Sequence, residues 1–331
     1  MKAIVYKNYG PPEVLQLKEV QKLTPKDNEV LIKIYATTVT ATDCTFRKGK
    51  PFIGRLLTGL TKPKNSIPGS ELAGEIEIVG KNVKKFKIGD KVYGTTMGNG
   101  AYAQYICLPE EGSTLSLKPS NLSYEEAAAC DGALTSLPFL RDKGNIHSSQ
   151  KVLIYGASGS VGTAAVQLAC YFGAEVTAVC STTNLELVKS LGARNVIDYT
   201  KEDFTKNNQT YDIIFDTVGK ISFNKCKSSL KQRGVFLEAA LTPAIIPQML
   251  WTSMIGNKKA MIAFTGLRPA DERTKDLIIL KELYETGMIK PVVDRQYRLE
   301  DIVEAHSYVD QGHKKGNVVI TVAHNNRTWQ I

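Results

Sequence analysis

Lys151-Val-Leu-Ile-Tyr155-Gly156-Ala-Ser-Gly159-Ser-Val-Gly162, continued by Thr163-Ala-Ala-Val-Gln-Leu-Ala169, is the stretch that decides the fold. An apolar run ends in three glycines spaced Gly-x-x-Gly-x-x-Gly. Val161, Ala165, Leu168, Ala169 and Phe172 then fall on one face of a helix, and Gly173 stands where its C-cap is expected. The pattern predicts a strand, a tight turn and a helix N-terminus. Unpaired backbone N–H groups and the positive end of the helix dipole then face one spot, which suits a pyrophosphate. Gly156, Ala157, Ser158, Gly159, Ser160, Val161 and Gly162 are the expected phosphate contacts. The competing reading is a βαβ turn with no cofactor, since glycines punctuate many turns and the spacing is not Gly-x-Gly-x-x-Gly.

Outward from this turn, strands are expected at Glu175–Cys180, Asn195–Tyr199, Tyr211–Asp216, Gly234–Glu238 and Ala260–Thr265. Helical stretches at Asn184–Leu191 and Phe223–Leu230 lie between them. With the first strand this makes six, and the fold class is α/β with a doubly wound parallel sheet. Upstream, Val30–Ala36, Leu72–Val79 and Tyr102–Leu108 read as short strands separated by turn signals at Pro11-Pro12, Pro68-Gly69 and Gly89-Asp90. Met1–Lys7 reads as an edge strand, and Ser123-Tyr-Glu-Glu126 fits a capping box. Downstream, helices are expected over Asp271–Glu285 and Glu300–Val309, and Asn317–Val322 reads as a strand returning to the first sheet. His324–Ile331 reads as a loose tail. The expected division is a β-rich domain over 1–123, a dinucleotide-binding domain over 124–266, and a return to the first domain over 267–331.

The 331 residues suit two domains, and 43% hydrophobic with 23% charged residues is ordinary for a soluble protein. No apolar run is long enough to span a membrane, and the N-terminus lacks the pattern of a signal peptide, so a cytoplasmic location is expected. None of the six cysteines forms a C-x-x-C pair, and buried reduced thiols are expected. The net charge of +9 raises the possibility of a polyanionic partner, but no basic stripe is interleaved with aromatics, and a solvated basic surface is the preferred reading over nucleic-acid binding.

Several further motifs accompany the glycine turn: Met1-Lys-Ala-Ile, Pro68-Gly-Ser-Glu-Leu-Ala-Gly-Glu, Gly89-Asp-Lys-Val-Tyr-Gly, Gly100-Ala-Tyr-Ala-Gln-Tyr, Leu191-Gly-Ala-Arg-Asn-Val-Ile-Asp-Tyr and Phe215-Asp-Thr-Val-Gly. With these the chain resembles a medium-chain dehydrogenase/reductase over nearly its whole length. The resemblance implies a GroES-like β domain, a Rossmann domain, an active site in the cleft between them, and a homodimer paired through the Rossmann sheet edge, near which apolar Ile245–Trp251 lies, serving either an interface or the internal core. It also implies coenzyme contacts at Thr135, Val218, Leu241 and Asn317. Zinc-dependent relatives place a catalytic Cys where Thr40 stands, a zinc-binding His where Ser70 stands, and a third ligand near Gly132. Cys130 is close to the last, but one ligand makes no catalytic zinc site, and the four-cysteine structural loop is missing between Gly94 and Cys107. A metal-free protein is therefore expected. Asp43-Cys-Thr-Phe-Arg47-Lys-Gly49 is similar to the zinc-free quinone oxidoreductase branch, whose substrate-side positions are Thr40 and Thr45 here. The lengthened segment 50–64 carries Phe52, Leu56, Leu57 and Leu60, either capping an apolar substrate or packing on the domain surface.

The strand after the glycine turn ends Val179-Cys180-Ser181-Thr182-Thr183, without the acid that usually holds the ribose hydroxyls of NAD. Ser181 and Thr182 are expected to hydrogen-bond a 2′-phosphate, or else to cap the following helix. Tyr199 matches the family's phosphate-contacting tyrosine, while Asn184 replaces a lysine common in the branch. NADPH is the expected coenzyme, with NADH possible. The expected chemistry is hydride transfer to a quinone or an activated α,β-unsaturated carbonyl, which needs no Lewis acid. Thr40, Thr45 and Ser70 are the candidate donors to the acceptor oxygen, and no side chain is a convincing general acid. Asp43 and Arg47, at i and i+4, are expected to pair, and the four histidines to be structural or on the surface. The alternatives are a zinc-free alcohol dehydrogenase, an enone or 2-alkenal reductase, or a coenzyme- or nucleic-acid-binding protein with weak turnover.

Overall fold

The structure, a computed structural model, describes residues 1–50, 52, 55–96 and 99–324. Of the expected tail, residues 325–331 lie outside this set. The chain divides into two compact units: Met1–Cys130, Pro269–Glu285 and Val293–Ile331 form the first, and Asp131–Arg268 with Thr286–Val292 the second.

The strands of the first unit are, from the N-terminus, β1 (Lys2–Val5), β2 (Gln16–Glu19), β3 (Glu29–Val39), β4 (Glu71–Val79), β5 (Lys91–Thr95), β6 (Tyr105–Pro109) and β7 (Thr114–Leu117). The second unit contributes β8 (Lys151–Tyr155), β9 (Glu175–Cys180), β10 (Asn195–Asp198), β11 (Tyr211–Asp216), β12 (Leu230–Glu238) and β13 (Lys259–Met261). The chain then returns to the first unit for β14 (Val293–Arg298) and β15 (Asn317–Thr321).

In the first unit the sheet order is β14-β15-β3-β4-β5-β7, with β6 on β3, and β1 pairs with β2. β15 is antiparallel to β3, matching Val318 to Val39 and Thr321 to Ala36. Alternate residues of these strands, among them Ile32, Ile34, Leu72, Ile76, Val318 and Ile320, meet in one buried apolar cluster. The strand expected from Tyr102 begins at Tyr105. Tyr102 instead donates its N–H to Pro68 O at 2.9 Å and accepts from Ile4 N at 2.8 Å, which takes it out of the ladder. The capping box at Ser123 forms as its spacing predicts, opening the Tyr124–Ala128 helix. That helix packs on β3 and β4, so the first break between units falls after Cys130 and not after Ser123.

The second unit is a six-stranded sheet in the order β10-β9-β8-β11-β12-β13, parallel throughout. Val152, Leu153 and Ile154 of β8 are fully buried, as expected of a strand covered on both faces. The strand expected over Ala260–Thr265 shortens to β13, and the helix expected over Phe223–Leu230 is a turn of α-helix (Phe223–Cys226) followed by a 3₁₀ turn, because Leu230 already opens β12. Residues Thr286–Val292 belong to this unit and not to the returning segment. The Gln167 side chain holds them, donating to Lys290 O at 3.0 Å and accepting from Lys290 N at 2.9 Å.

Candidate functional site

In the second unit the strand order reverses at β8, so the carboxyl ends of β8 and β11 flank the position where open α/β sheets bind ligands. The three glycines after β8 have three different reasons to be glycine. Gly156 has φ +77°, and a Cβ there would meet Val218 Cγ1 at 2.7 Å. A Cβ on Gly162 would lie 2.1 Å from Gly156 O, so the helix could not seat against its own turn. Gly159 is different. It is the N-cap of the Ser160–Tyr171 helix in an extended conformation (φ −80°, ψ −179°), and its Cβ would meet only Gly156 O, at an ordinary 3.6 Å. Neither backbone nor packing requires glycine here. What its missing side chain leaves is open space over the first-turn N–H groups, which have no intrahelical acceptors. Those groups and the helix dipole suit a phosphate at that place.

Most of the residues expected around the coenzyme gather at this carboxyl edge. Ser181 follows β9, Tyr199 follows β10, Val218 follows β11 and Leu241 follows β12, and the last three are about half exposed. Asp216 shapes the Val218 loop: its buried carboxylate accepts from the N–H groups of Val218, Gly219 and Ile221, each at 2.9 Å. Burial raises its pKa, against those bonds. Thr135 stands on the Asp131–Pro138 helix, which packs on the Ser160–Tyr171 helix; Ser136 beside it donates to Val161 O at 2.9 Å. Asn317 begins β15 in the first unit, a different unit from the glycine turn.

Asn184 proves to be a structural bridge. Its Nδ2 donates to Ser158 Oγ at 3.0 Å and to Ser181 Oγ at 3.2 Å, tying the glycine turn to the end of β9. Ser181 is the N-cap of the following 3₁₀ turn but makes no side-chain capping bond. The Thr182 hydroxyl, expected to face a 2′-phosphate, donates instead to Asp198 Oδ2 at 2.5 Å. β9 itself ends without an acid, yet its neighbour β10 supplies one, since Asp198 pairs in register with Cys180. Single-strand periodicity carries no sign of such a cross-strand neighbour.

In the first unit, two of the three candidate substrate-side hydroxyls converge on one carboxylate. Thr40 caps the Ala41–Lys48 helix in a full capping box: its Oγ1 accepts from Asp43 N at 3.0 Å, and its own N–H and hydroxyl donate to Asp43 Oδ2 at 2.9 and 2.7 Å. Ser70 donates to Asp43 Oδ1 at 2.5 Å. Asp43 is buried, and desolvation raises its pKa against these bonds. Both hydroxyl protons are thus committed to Asp43. Thr45 donates back to Ala41 O at 2.9 Å, a bond its partly exposed hydroxyl can exchange for another acceptor by rotating.

The expected Asp43–Arg47 pair does not form. Arg47 is buried and pairs through Nη2 with Asp310 Oδ2 at 2.5 Å, while Nε donates to Gly10 O. Nearby, His306 Nδ1 lies 3.4 Å from Cys44 Sγ and its ring packs edge-on against Tyr102. Burial first, then the Arg47 charge, lowers the His306 pKa to about 3, so it is neutral.

In segment 50–64, Arg55 lies over the Tyr9 ring at 4.6 Å, and the Tyr9 hydroxyl donates to Gly59 O at 2.7 Å. Phe52, Leu56 and Leu60 are exposed, and the Leu57 side chain falls outside the described residues.

A zinc site does not fit these residues. Zinc takes thiolate, imidazole or carboxylate, whereas the ligand positions of zinc-dependent relatives hold the hydroxyls of Thr40 and Ser70. Cys130 Sγ points to Gly94 O at 3.9 Å. Among the described residues no group of three His, Cys, Asp or Glu side chains is placed to hold a metal ion, and no helix is long and apolar enough to cross a membrane.

Residues 26–119 match the alcohol dehydrogenase GroES-like domain, and residues 191–320 match a family described as zinc-binding dehydrogenase. A 2-methylene-furan-3-one reductase of Solanum lycopersicum is 34% identical over 97% of this chain and 79% of its own length. An NADPH-dependent alkenal/one oxidoreductase of Arabidopsis thaliana, chloroplastic, is 32% identical over the same shares. Among solved structures, the quinone oxidoreductase of Coxiella burnetii superimposes with a TM-score of 0.86 at 28% identity, covering 98% of this chain and 99% of that one.

Proposed function

The chain belongs to the medium-chain dehydrogenase/reductase superfamily, in its quinone oxidoreductase-like branch, and from that premise we propose that it transfers hydride from NADPH to an activated α,β-unsaturated carbonyl or a quinone, without zinc. The observation that carries the proposal is Gly159. Its missing side chain leaves a helix N-terminus open at the carboxyl edge of a parallel sheet, where fold and packing gain nothing from glycine. The first-turn N–H groups of the Ser160–Tyr171 helix would hold the pyrophosphate. Val218 and Leu241 line the same edge, and Asn184 holds Ser158 and Ser181 in place. The bound dinucleotide supplies the hydride.

The acceptor class follows from the residues at the zinc-ligand positions. Without a Lewis acid, the substrate must already be electron-poor. The names of the tomato and Arabidopsis relatives point first to enones and alkenals, and that of the Coxiella structure to quinones. Asp43 fixes Thr40 and Ser70 as acceptors, which leaves Thr45 as the hydroxyl free to turn toward a carbonyl oxygen. Two further readings belong to the same proposal. The chain forms a homodimer along the edge strand β13, next to which the Ile245–Met254 helix exposes Leu250, Trp251 and Met254. It works in the cytoplasm, whose reducing conditions suit six unbridged cysteines.

The test is NADPH binding and NADPH oxidation with 2-alkenals, enones and quinones. Tight binding with chelator-resistant turnover supports the proposal. A protein that binds no dinucleotide contradicts it.

A further inference from the structure

We infer that Asp198 lessens the preference for NADPH over NADH by keeping the Thr182 hydroxyl away from the 2′-phosphate; this rests on the NADPH reading above. In open α/β sheets the group that distinguishes the two nicotinamide coenzymes stands at the end of the strand after the glycine turn. Here that strand is β9, which ends in Cys180 and continues into Ser181, Thr182 and Thr183. Asp198 pairs with Cys180 across the ladder, so its carboxylate stands beside this end.

The carboxylate is almost saturated. Oδ1 accepts from Thr200 N at 3.0 Å and from the Thr200 hydroxyl at 2.7 Å; Oδ2 accepts from the Thr182 hydroxyl at 2.5 Å and lies 3.8 Å from Lys201 Nζ. Hydrogen bonds from Thr182 and then Thr200 hold its pKa below the usual carboxylate range, so it stays ionised at neutral pH. Two consequences follow. A carboxylate with these partners has little capacity left to accept from ribose hydroxyls, so it does not act as the acid of an NAD site. It also takes the proton of Thr182, one of the two hydroxyls expected to meet the 2′-phosphate, and adds a negative charge at the same strand end. Both effects weaken NADPH and leave NADH nearly untouched, a selectivity built by a repulsive element. Asp198 is a positioning residue in this scheme, since it acts through Thr182 and through its charge.

Asp198→Asn tests this by direct titration of the intact protein with NADPH and with NADH, independent of any acceptor substrate. An asparagine keeps an oxygen for Thr200 and turns an amide toward Thr182, which releases that hydroxyl proton from the carboxylate and leaves the Thr200 hydroxyl, at 3.3 Å, as its remaining neighbour. The expected result is an NADPH Kd lower by about fivefold or more, with the NADH Kd changed by less than about twofold. The double variant Asp198→Asn with Thr182→Val should give back part of the gain. Equal changes for the two coenzymes, or no change in their ratio, would overturn the inference, as would a double variant that keeps the full gain. If the unmodified protein binds neither coenzyme, the parent reading fails instead, and the inference falls with it.

Discussion

Gly159 carries a prediction that separates folding from binding. Gly159→Ala meets no steric or backbone obstacle, so the thermal midpoint should stay within about 2 °C, while the Kd for NADPH should rise about tenfold or more as the methyl group enters the phosphate space. Gly162→Ala should do the reverse, destabilising the fold outright, because its Cβ would sit 2.1 Å from Gly156 O. Calorimetry and coenzyme titration of the two variants check both. His306 gives a pH prediction. Its pKa falls from 6.5 to about 3 on folding, so between those values the unfolded chain binds more protons than the folded one. Stability on this account falls as pH falls through that window, by roughly 1 kcal/mol between pH 7 and 5.5. Urea midpoints of wild type and His306→Gln across this range should diverge, with the shallower slope in the variant. The glycine spacing was legible in the sequence, but the separate roles of the three glycines were not, because they depend on what stands opposite each Cα. The Asp43–Arg47 expectation failed for a related reason. Helical spacing says that two side chains can meet; here Asp43 is taken by Thr40, its own capping-box partner three residues before it, and by Ser70, while Asp310 comes from a distant helix to take Arg47.

Elements are most legible in the sequence where pattern and burial coincide. The strands of the parallel sheet are short apolar runs, and the Ser123 capping box announced its helix through two residues whose chemistry is purely local. Ser123→Ala should therefore cost about 1 kcal/mol, measured as a shift in urea midpoint with unchanged slope. The misread ends, at Tyr102, Leu230 and Met261, are places where the ladder partner and not the residue decides whether a strand continues. Contacts between distant segments produce larger effects. Arg47 is fully buried between Asp310 and Gly10 O, and Arg47→Ala leaves Asp310 without its shortest partner and opens a cavity, at a cost of about 3 kcal/mol. Lys48 also pairs with Asp310, at 2.7 Å, and will recover part of that loss. Denaturant unfolding of Arg47→Ala and Arg47→Met separates the charge from the packing.

At the scale of the molecule, the family and the two-part architecture were legible because the motifs are spread along the chain, so their joint occurrence is far more specific than any one of them. The acid beside β9 was not legible, since a parallel sheet brings together residues from segments that share no local signal. Assembly is tested at this scale too. Trp251→Glu places a charge on the exposed apolar helix beside β13 and should shift a dimer to monomer in sedimentation, with the coenzyme Kd unchanged. Zinc-free reduction of an activated acceptor by NADPH is tested by following NADPH oxidation with a panel of 2-alkenals, enones and quinones, with and without a strong chelator. Turnover with at least one of these acceptors is expected, at a rate the chelator does not change. Turnover that the chelator abolishes and added zinc restores, or no turnover with any acceptor, would contradict it.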